Sequence, residues 1–330
     1  MNRQFLMIGL LMLFFPNISV ATNNIKEQII QAEYALYEGD IEPAKRLIVQ
    51  GSYSLELKRL EILFLTHQEQ TDQATKLLDS LQQANPSNAE IFYFAGNIWE
   101  DLARQVSFFS KKSYYSRASQ AFITAANLAP NNPKFVTAQA RAYGQPSILG
   151  GAKGKQQQLV FNIQNFDHKF GLYAAMDLAQ NEQNYQDLLK IADRAVKAYP
   201  KSFLLIARSA QAYRTAGDEL NAQQLFLRAC LIPKAENQYR LKWEYACFIT
   251  GYIAENETNN FQIAVTGFKR LLSVYTRPTL HNDQLRYSLA KYLKDIGDLP
   301  QAKADFQRLL SHSKFREIQK KAKSELRHFE

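Results

Sequence analysis

One spacing recurs along the chain. A small residue is followed four positions later by a large apolar one, three later by another small or apolar one, and five later by proline. It reads Ala74, Leu78, Leu81, Pro86 and Ala118, Phe122, Ala125, Pro130. It returns as Leu188, Ala192, Ala195, Pro200, and as Ala222, Phe226, Ala229 with Pro233 one residue early. Copies without the proline run Ala44, Ile48; Ala264, Phe268, Leu271; and Ala302, Phe306, Leu309. Offsets of four and three place these residues on one helix face, and small side chains there let two helix axes approach to about 8–10 Å. A period near 34 residues without strand-like alternation predicts stacked helix pairs. Such a chain presents an extended surface rather than a catalytic cleft.

The turns agree with this register. Gly39-Asp40, Gly217-Asp218 and Gly297-Asp298 each lie five residues before the small residue of a second helix, at Ala44, Ala222 and Ala302. Glycine ends one helix in a left-handed conformation and aspartate caps the next. Twelve residues before those alanines stand Ala32, Ala210 and Ala290. The prolines then stop each second helix, lacking an N–H and disfavouring helical geometry in the preceding residue.

These offsets resemble the tetratricopeptide repeat family over about residues 25–312, as about seven helix pairs. The resemblance implies an all-α, right-handed superhelical solenoid with a capping helix at 314–328, and it implies little about function, because packing positions define the family. Three departures are expected: an insertion near 104–112 as a longer loop or extra helical turns, a glycine-rich connection over 144–155, and a polar loop at 255–260. Tyr34, Trp99, Tyr213 and Trp243 read as inter-helix packing.

The first residues describe an export signal. Arg3 precedes an apolar run from Phe5 to Phe15, then Pro16 and Ser19-Val20-Ala21. The run is too short for a membrane span, which needs about 20 apolar residues, and no cysteine follows it for a lipid anchor. The expected organisation is a signal peptide at 1–21 and a single periplasmic solenoid at 22–330. Losing Arg3 leaves 39 basic against 31 acidic residues, a net charge of +8. Cys230 and Cys247 are the only cysteines. With the intervening turn centred near Lys234 they lie roughly 12 Å apart at 1.5 Å per residue, so buried free thiols are expected rather than a bridge.

Charge is uneven. Residues 104–166 hold no carboxylate but eight bases: Arg104, Lys111, Lys112, Arg117, Lys134, Arg141, Lys153 and Lys155. This is either a solvated face or a site for an acidic protein or other anionic surface. Nucleic acid is not expected as a partner of an exported protein. Gly154-Lys155 lacks the upstream glycine and the Ser/Thr of a nucleotide loop. The loop is either a plain connection or a small anion nest of Gly150, Gly151, Lys153 and Lys155. The segment Arg141–Lys155 also resembles, weakly, a double-glycine loop of exported bacterial tetratricopeptide proteins. Histidine and cysteine spacings match no metal set, no nucleophile elbow occurs, and no catalytic residue or cofactor is expected.

In a solenoid of this kind the first helices of successive pairs line the concave side. Their outward positions are Glu90, Tyr93, Asn97; Lys134, Thr137, Arg141; Tyr173, Asp177; Gln211, Arg214; and Tyr287, Lys291. Lys111, Lys112 and Arg117 join them as candidate contacts for an acidic partner. The expected function is a cell-envelope scaffold that holds an envelope protein or peptide in its groove. The alternative is a small-molecule or lipid carrier serving an envelope transport system, which an enclosed pocket under Gly150–Lys155, rather than an open groove, would favour.

Overall fold

Prolines and polar caps cut the chain into helices where the repeat spacing places them. The computed structural model describes residues 55–233, 240–276 and 279–329, with single positions at 31, 32, 42, 46 and 235. The expected signal segment, most of the first helix pair and its Gly39-Asp40 turn, with Tyr34, Ala44 and Ile48, lie outside the described residues. Contacts fall into two units, Met1–Leu78 and Asp79–Glu330.

The helices are α1 (Leu55–His67), α2 (Thr71–Ala84), α3 (Ala89–Gln105), α4 (Phe108–Leu128) and α5 (Pro133–Tyr143). Next come α6 (Lys153–Phe166), α7 (His168–Asn181), α8 (Tyr185–Ala198), α9 (Phe203–Thr215) and α10 (Glu219–Cys230). The last are α11 (Arg240–Ile253), α12 (Phe261–Val274), α13 (Leu280–Asp295), α14 (Leu299–His312) and α15 (Arg316–Leu326). From α3 onward, consecutive helices pack in antiparallel pairs, and the architecture is an all-α array of stacked helix pairs.

Local chemistry sets the boundaries. Pro86, Pro130 and Pro200 each fall two residues beyond the end of α2, α4 and α8. Asn88, Asn132, Asp167, Asn184, Ser202, Asp218, Thr279 and Asp298 accept backbone N–H bonds in the first turn of the helices they precede. Each such cap is worth about 1 kcal/mol. Gly217 and Gly297 adopt φ of 83° and 84°, the left-handed conformation that the turn demands. Gln183 takes the same geometry without being glycine, at φ 58°.

The repeat positions form the core. Ala118, Phe122, Ala125, Leu188, Ala192, Ala195, Ala222, Phe226, Ala229, Ala264, Phe268, Leu271, Ala302, Phe306 and Leu309 are all buried, as are Ala74 and Leu78 in the first unit. Truncating a buried Phe of this row to Ala would cost about 3–5 kcal/mol, because the removed ring leaves a cavity. Trp99 and Trp243 are fully buried, as expected of packing residues. The Trp243 indole N–H donates to the Cys230 carbonyl at 2.8 Å.

The departures take definite forms. The excess near 104–112 is extra helical turn: α3 and α4 have 17 and 21 residues and only Val106-Ser107 lies between them. The polar stretch after α11 is a π-helical turn, Ala254–Thr258, ended by Asn259 at φ 54°. The buried Gln223 side chain holds it, donating to the carbonyls of Thr250 and Asn260 and accepting from the Thr258 hydroxyl. The C-terminal helix α15 buries Ile318 and Ala322 against its neighbours.

One expectation fails. Cys230 and Cys247 form a disulfide, with Cα atoms 4.9 Å apart and both side chains fully buried. The expected turn at Lys234 lies outside the described residues. Cys230, the last residue of α10, meets α11 at Trp243 and Cys247, the fourth and eighth residues of that helix, rather than at its first residues.

Candidate interaction face

The predicted outward residues of the first helices meet one another across helix boundaries. On α5, the Lys134 ammonium donates to both carboxylate oxygens of Glu90 on α3, at 2.7 and 2.8 Å. Further along the same helix, the Arg141 guanidinium reaches Glu100 at 3.1 Å and Asn97 at 3.3 Å. On α9, Arg208 donates to Asp177 at 2.7 Å and to Gln180 at 2.9 Å, both on α7. Arg214 donates to the Tyr245 hydroxyl of α11 at 2.9 Å. Lys291 stands 3.8 Å from Glu255, and Tyr287 donates to Glu325 of α15 at 3.4 Å. Gln211 is half-buried on α9. The face is therefore a row of polar links between alternate helices.

Its centre is crowded and under-bonded. Burial by itself weakens the Arg141 cation, yet Glu100, with Tyr173, Tyr93 and Asp177, holds its pKa above the usual guanidinium range. Burial, then the Asp177 charge, pushes the Tyr173 phenol up to about 12. Although Lys242 on α11 keeps much of its side chain in solvent, desolvation of its ammonium and then the Arg141 charge lower its pKa, while Asp177 and Glu100 oppose them. Arg141 Nε, Arg208 Nη1, Thr137 Oγ1 and Asp177 Oδ2 are buried and have no protein partner. A buried polar atom left unbonded costs about 1–3 kcal/mol, and four of those atoms fall on this face.

Two members of this centre, Arg208 and Lys242, escape a reading of spacing. Arg208 carried a signal: it is the one charge in the apolar run Phe203-Leu204-Leu205-Ile206-Ala207-Arg208. Lys242 carried none.

The acid-free stretch is not acid-free in space. Arg104 pairs with Asp101, and Arg117 pairs with Asp79 while lying over the Trp99 ring at 3.7 Å. Lys134 and Arg141 take Glu90 and Glu100, and Lys153 takes Glu182 at 3.3 Å. Lys155 sits 5.4 Å over the Tyr143 ring. Lys111 and Lys112 lie on α4, the second helix of its pair, while Arg141 lies on a first helix. Five of the eight bases are thus paired with carboxylates.

The glycine-rich loop is likewise occupied from within. The Gly150 N–H donates to the Ser147 carbonyl at 3.0 Å, and the Gly151 N–H to that of Pro146 at 3.2 Å. A Cβ on Gly151 would sit 1.5 Å from the Gln145 carbonyl oxygen, so backbone packing demands glycine there. The structure thus gives both amides carbonyl partners. A hollow of about 280 Å³ lies instead between α6, α7 and α8, lined by Val160, Phe161, Leu178 and Ile191 among others.

Among the described residues, no three His, Cys, Asp or Glu side chains are grouped to hold a metal. Among those residues too, no helix is long and apolar enough to cross a membrane. No protein-family model matches the chain, and no curated protein matches it in sequence. Solved structures resemble it at low identity. A chain from the crystal structure of the APC/C hetero-tetramer Cut9–Hcn1 is 13% identical with a TM-score of 0.40, covering 93% of this chain and 56% of its own. A tetratricopeptide repeat protein from Parabacteroides merdae is 13% identical with a TM-score of 0.41, covering 82% and 99%. Yeast Tom70 is 15% identical with a TM-score of 0.39, covering 88% and 59%.

Proposed function

We propose that this chain is a non-catalytic binding scaffold of the cell envelope, which holds a segment of a partner protein along the face built by α3, α5, α7, α9, α11 and α13. The observation that carries the reading is the polar row of that face, where buried donors and acceptors on Thr137, Arg141, Asp177 and Arg208 lack protein partners. A bound segment gives such groups hydrogen bonds they otherwise lack, and aromatic residues beside them supply contact area. Export rests on two independent supports: the basic-then-apolar start of the sequence, and a buried disulfide, which persists in oxidising compartments. An envelope location with an internal polypeptide-binding face is coherent with both.

The test is site-specific photo-crosslinking in cells. A crosslinking amino acid at Tyr93, Gln211 or Tyr287 is expected to trap a discrete protein adduct, while the same group at Lys190 or Lys303 on second helices is not. Equal adducts from both sets, or none from either, would remove the groove reading. The basic stretch plays a smaller part than its charge implied, since five of its eight bases already hold carboxylates.

A further inference from the structure

Helix α11 carries a second feature beside the polar centre. Its buried side is Trp243, Ala246, Cys247, Ile249, Thr250 and Ile253. Its other side shows Lys242, Tyr245, Phe248 and Tyr252, the three aromatics exposed at 42%, 45% and 45%. Successive intervals of three, three and four residues align these four along one stripe. The aromatics are fixed rather than loose. Tyr245 meets Phe226 edge-on at 5.8 Å and accepts a hydrogen bond from Arg214. Phe248 stacks on Phe268 at 5.8 Å, and the Arg214 guanidinium lies 5.4 Å from the Tyr252 ring. Three large apolar faces presented together, held in place from behind, are costly to leave in water and mark an interaction surface.

At one end of that stripe stands Lys242. Among the described residues no carboxylate lies within ion-pairing distance of it. Its electrostatic surroundings combine Arg141 with the acids Asp177 and Glu100, and those two acids are already engaged by Arg208 and Arg141. Among the described side chains, Arg141, Arg208 and Lys242 stand against Glu100 and Asp177, which leaves one cation without a carboxylate partner. A carboxylate on a bound segment would complement it.

We propose that the stripe binds a peptide segment carrying an acidic side chain with aromatic or aliphatic side chains a few residues after it. The carboxylate sits on Lys242 beside the Arg141–Arg208 centre, and the apolar side chains lie along Tyr245, Phe248 and Tyr252. From residue 242 to residue 252 the stripe runs roughly 15 Å at 1.5 Å per residue, the length of about four or five extended residues. Charge complementarity selects the acid, and the three aromatic faces select its apolar neighbours. The proposal rests on the scaffold reading and gives it a sequence-specific ligand.

The experiment is selection of a random displayed-peptide library against the full chain, then fluorescence anisotropy on a synthetic peptide of the enriched sequence. The expected result is enrichment of Asp or Glu two to five residues ahead of Phe, Tyr, Trp, Leu or Ile. Lys242→Glu should then weaken the peptide by about tenfold or more, and Lys242→Arg should retain it. Phe248→Ala should weaken it independently of salt, while the Lys242 effect shrinks as salt rises. Both side chains are exposed, and circular dichroism checks that each variant keeps its helices. Enriched peptides without an acid, or binding unchanged in Lys242→Glu, would overturn the proposal and leave the scaffold reading standing. No enrichment at all would also overturn it, and only an accompanying failure of in-cell crosslinking would take the scaffold down.

Discussion

Removing the Cys230–Cys247 bridge tests the connection between sequence, fold and compartment in one variant. The cysteines are 17 residues apart and fully buried between α10 and α11. Closing a loop of that length in the unfolded chain removes about 10 cal/mol/K of conformational entropy, or roughly 3 kcal/mol at room temperature. The double variant Cys230→Ala, Cys247→Ala should lose about that much in chemical denaturation monitored by circular dichroism. The loss should be local. A repeat protein couples mainly neighbouring units, so hydrogen exchange should rise first in α10, α11 and the segment joining them, and last in α3 and α4. Reduced wild-type protein should behave as the variant does. The reasoning would be refuted if protein isolated from an oxidising compartment showed two reactive thiols on unfolding. A double variant within about 1 kcal/mol of wild type would refute the energetic part.

Other consequences can be checked separately. The Lys294 hydrogen bond, against the opposing effect of burial, holds the Glu325 carboxyl below its ordinary pKa and docks α15 on α13. A lowered folded pKa means that this stabilisation is complete above about pH 4.3 and fades as pH falls through the folded value. Glu325→Gln should cost about 1 kcal/mol at neutral pH and flatten the acid dependence of amide protection in α15; an unchanged profile would show that Glu325 does not anchor the helix. Gly151→Ala should destabilise the 144–155 connection by about 2 kcal/mol or more, because a Cβ meets the Gln145 carbonyl; a neutral thermal melt would contradict that packing. Lys111→Glu with Lys112→Glu should leave partner crosslinking from Tyr93 intact, since both lysines lie on a second helix; lost capture would restore the basic stretch as a binding site.

Much of the architecture was legible because packing in helix pairs leaves a periodic imprint. Ala118, Phe122 and Ala125 or Ala302, Phe306 and Leu309 are buried for the reason their spacing implies: two helix backbones approach there and only certain sizes fit. Gly217, Gly297, Asp218 and Asp298 announce turns because positive φ and orphan N–H groups are local problems with local solutions. The outward positions expected on α3, α5 and α7 were only partly legible, since Thr137 is buried and Tyr93 and Tyr173 pack against the core. Their partners were not. Lys134 finds Glu90 and Arg141 finds Glu100 across 44 and 41 residues, and no local pattern encodes such a meeting.

Local order was therefore written in the sequence by itself: helix faces, helix ends, the small residues at close approaches, and the stacking of pairs. The tertiary structure alone decided which charges cancel. It paired five bases of the acid-free stretch with flanking carboxylates, turned the glycine loop's amides inward, brought Cys230 to Cys247 and, among the described residues, left Lys242 without a carboxylate partner beside an aromatic stripe. The physical reason is one of range. Backbone geometry and caps act over a turn or two, whereas a Coulomb pair or a disulfide depends on how helices far apart in sequence come to lie side by side.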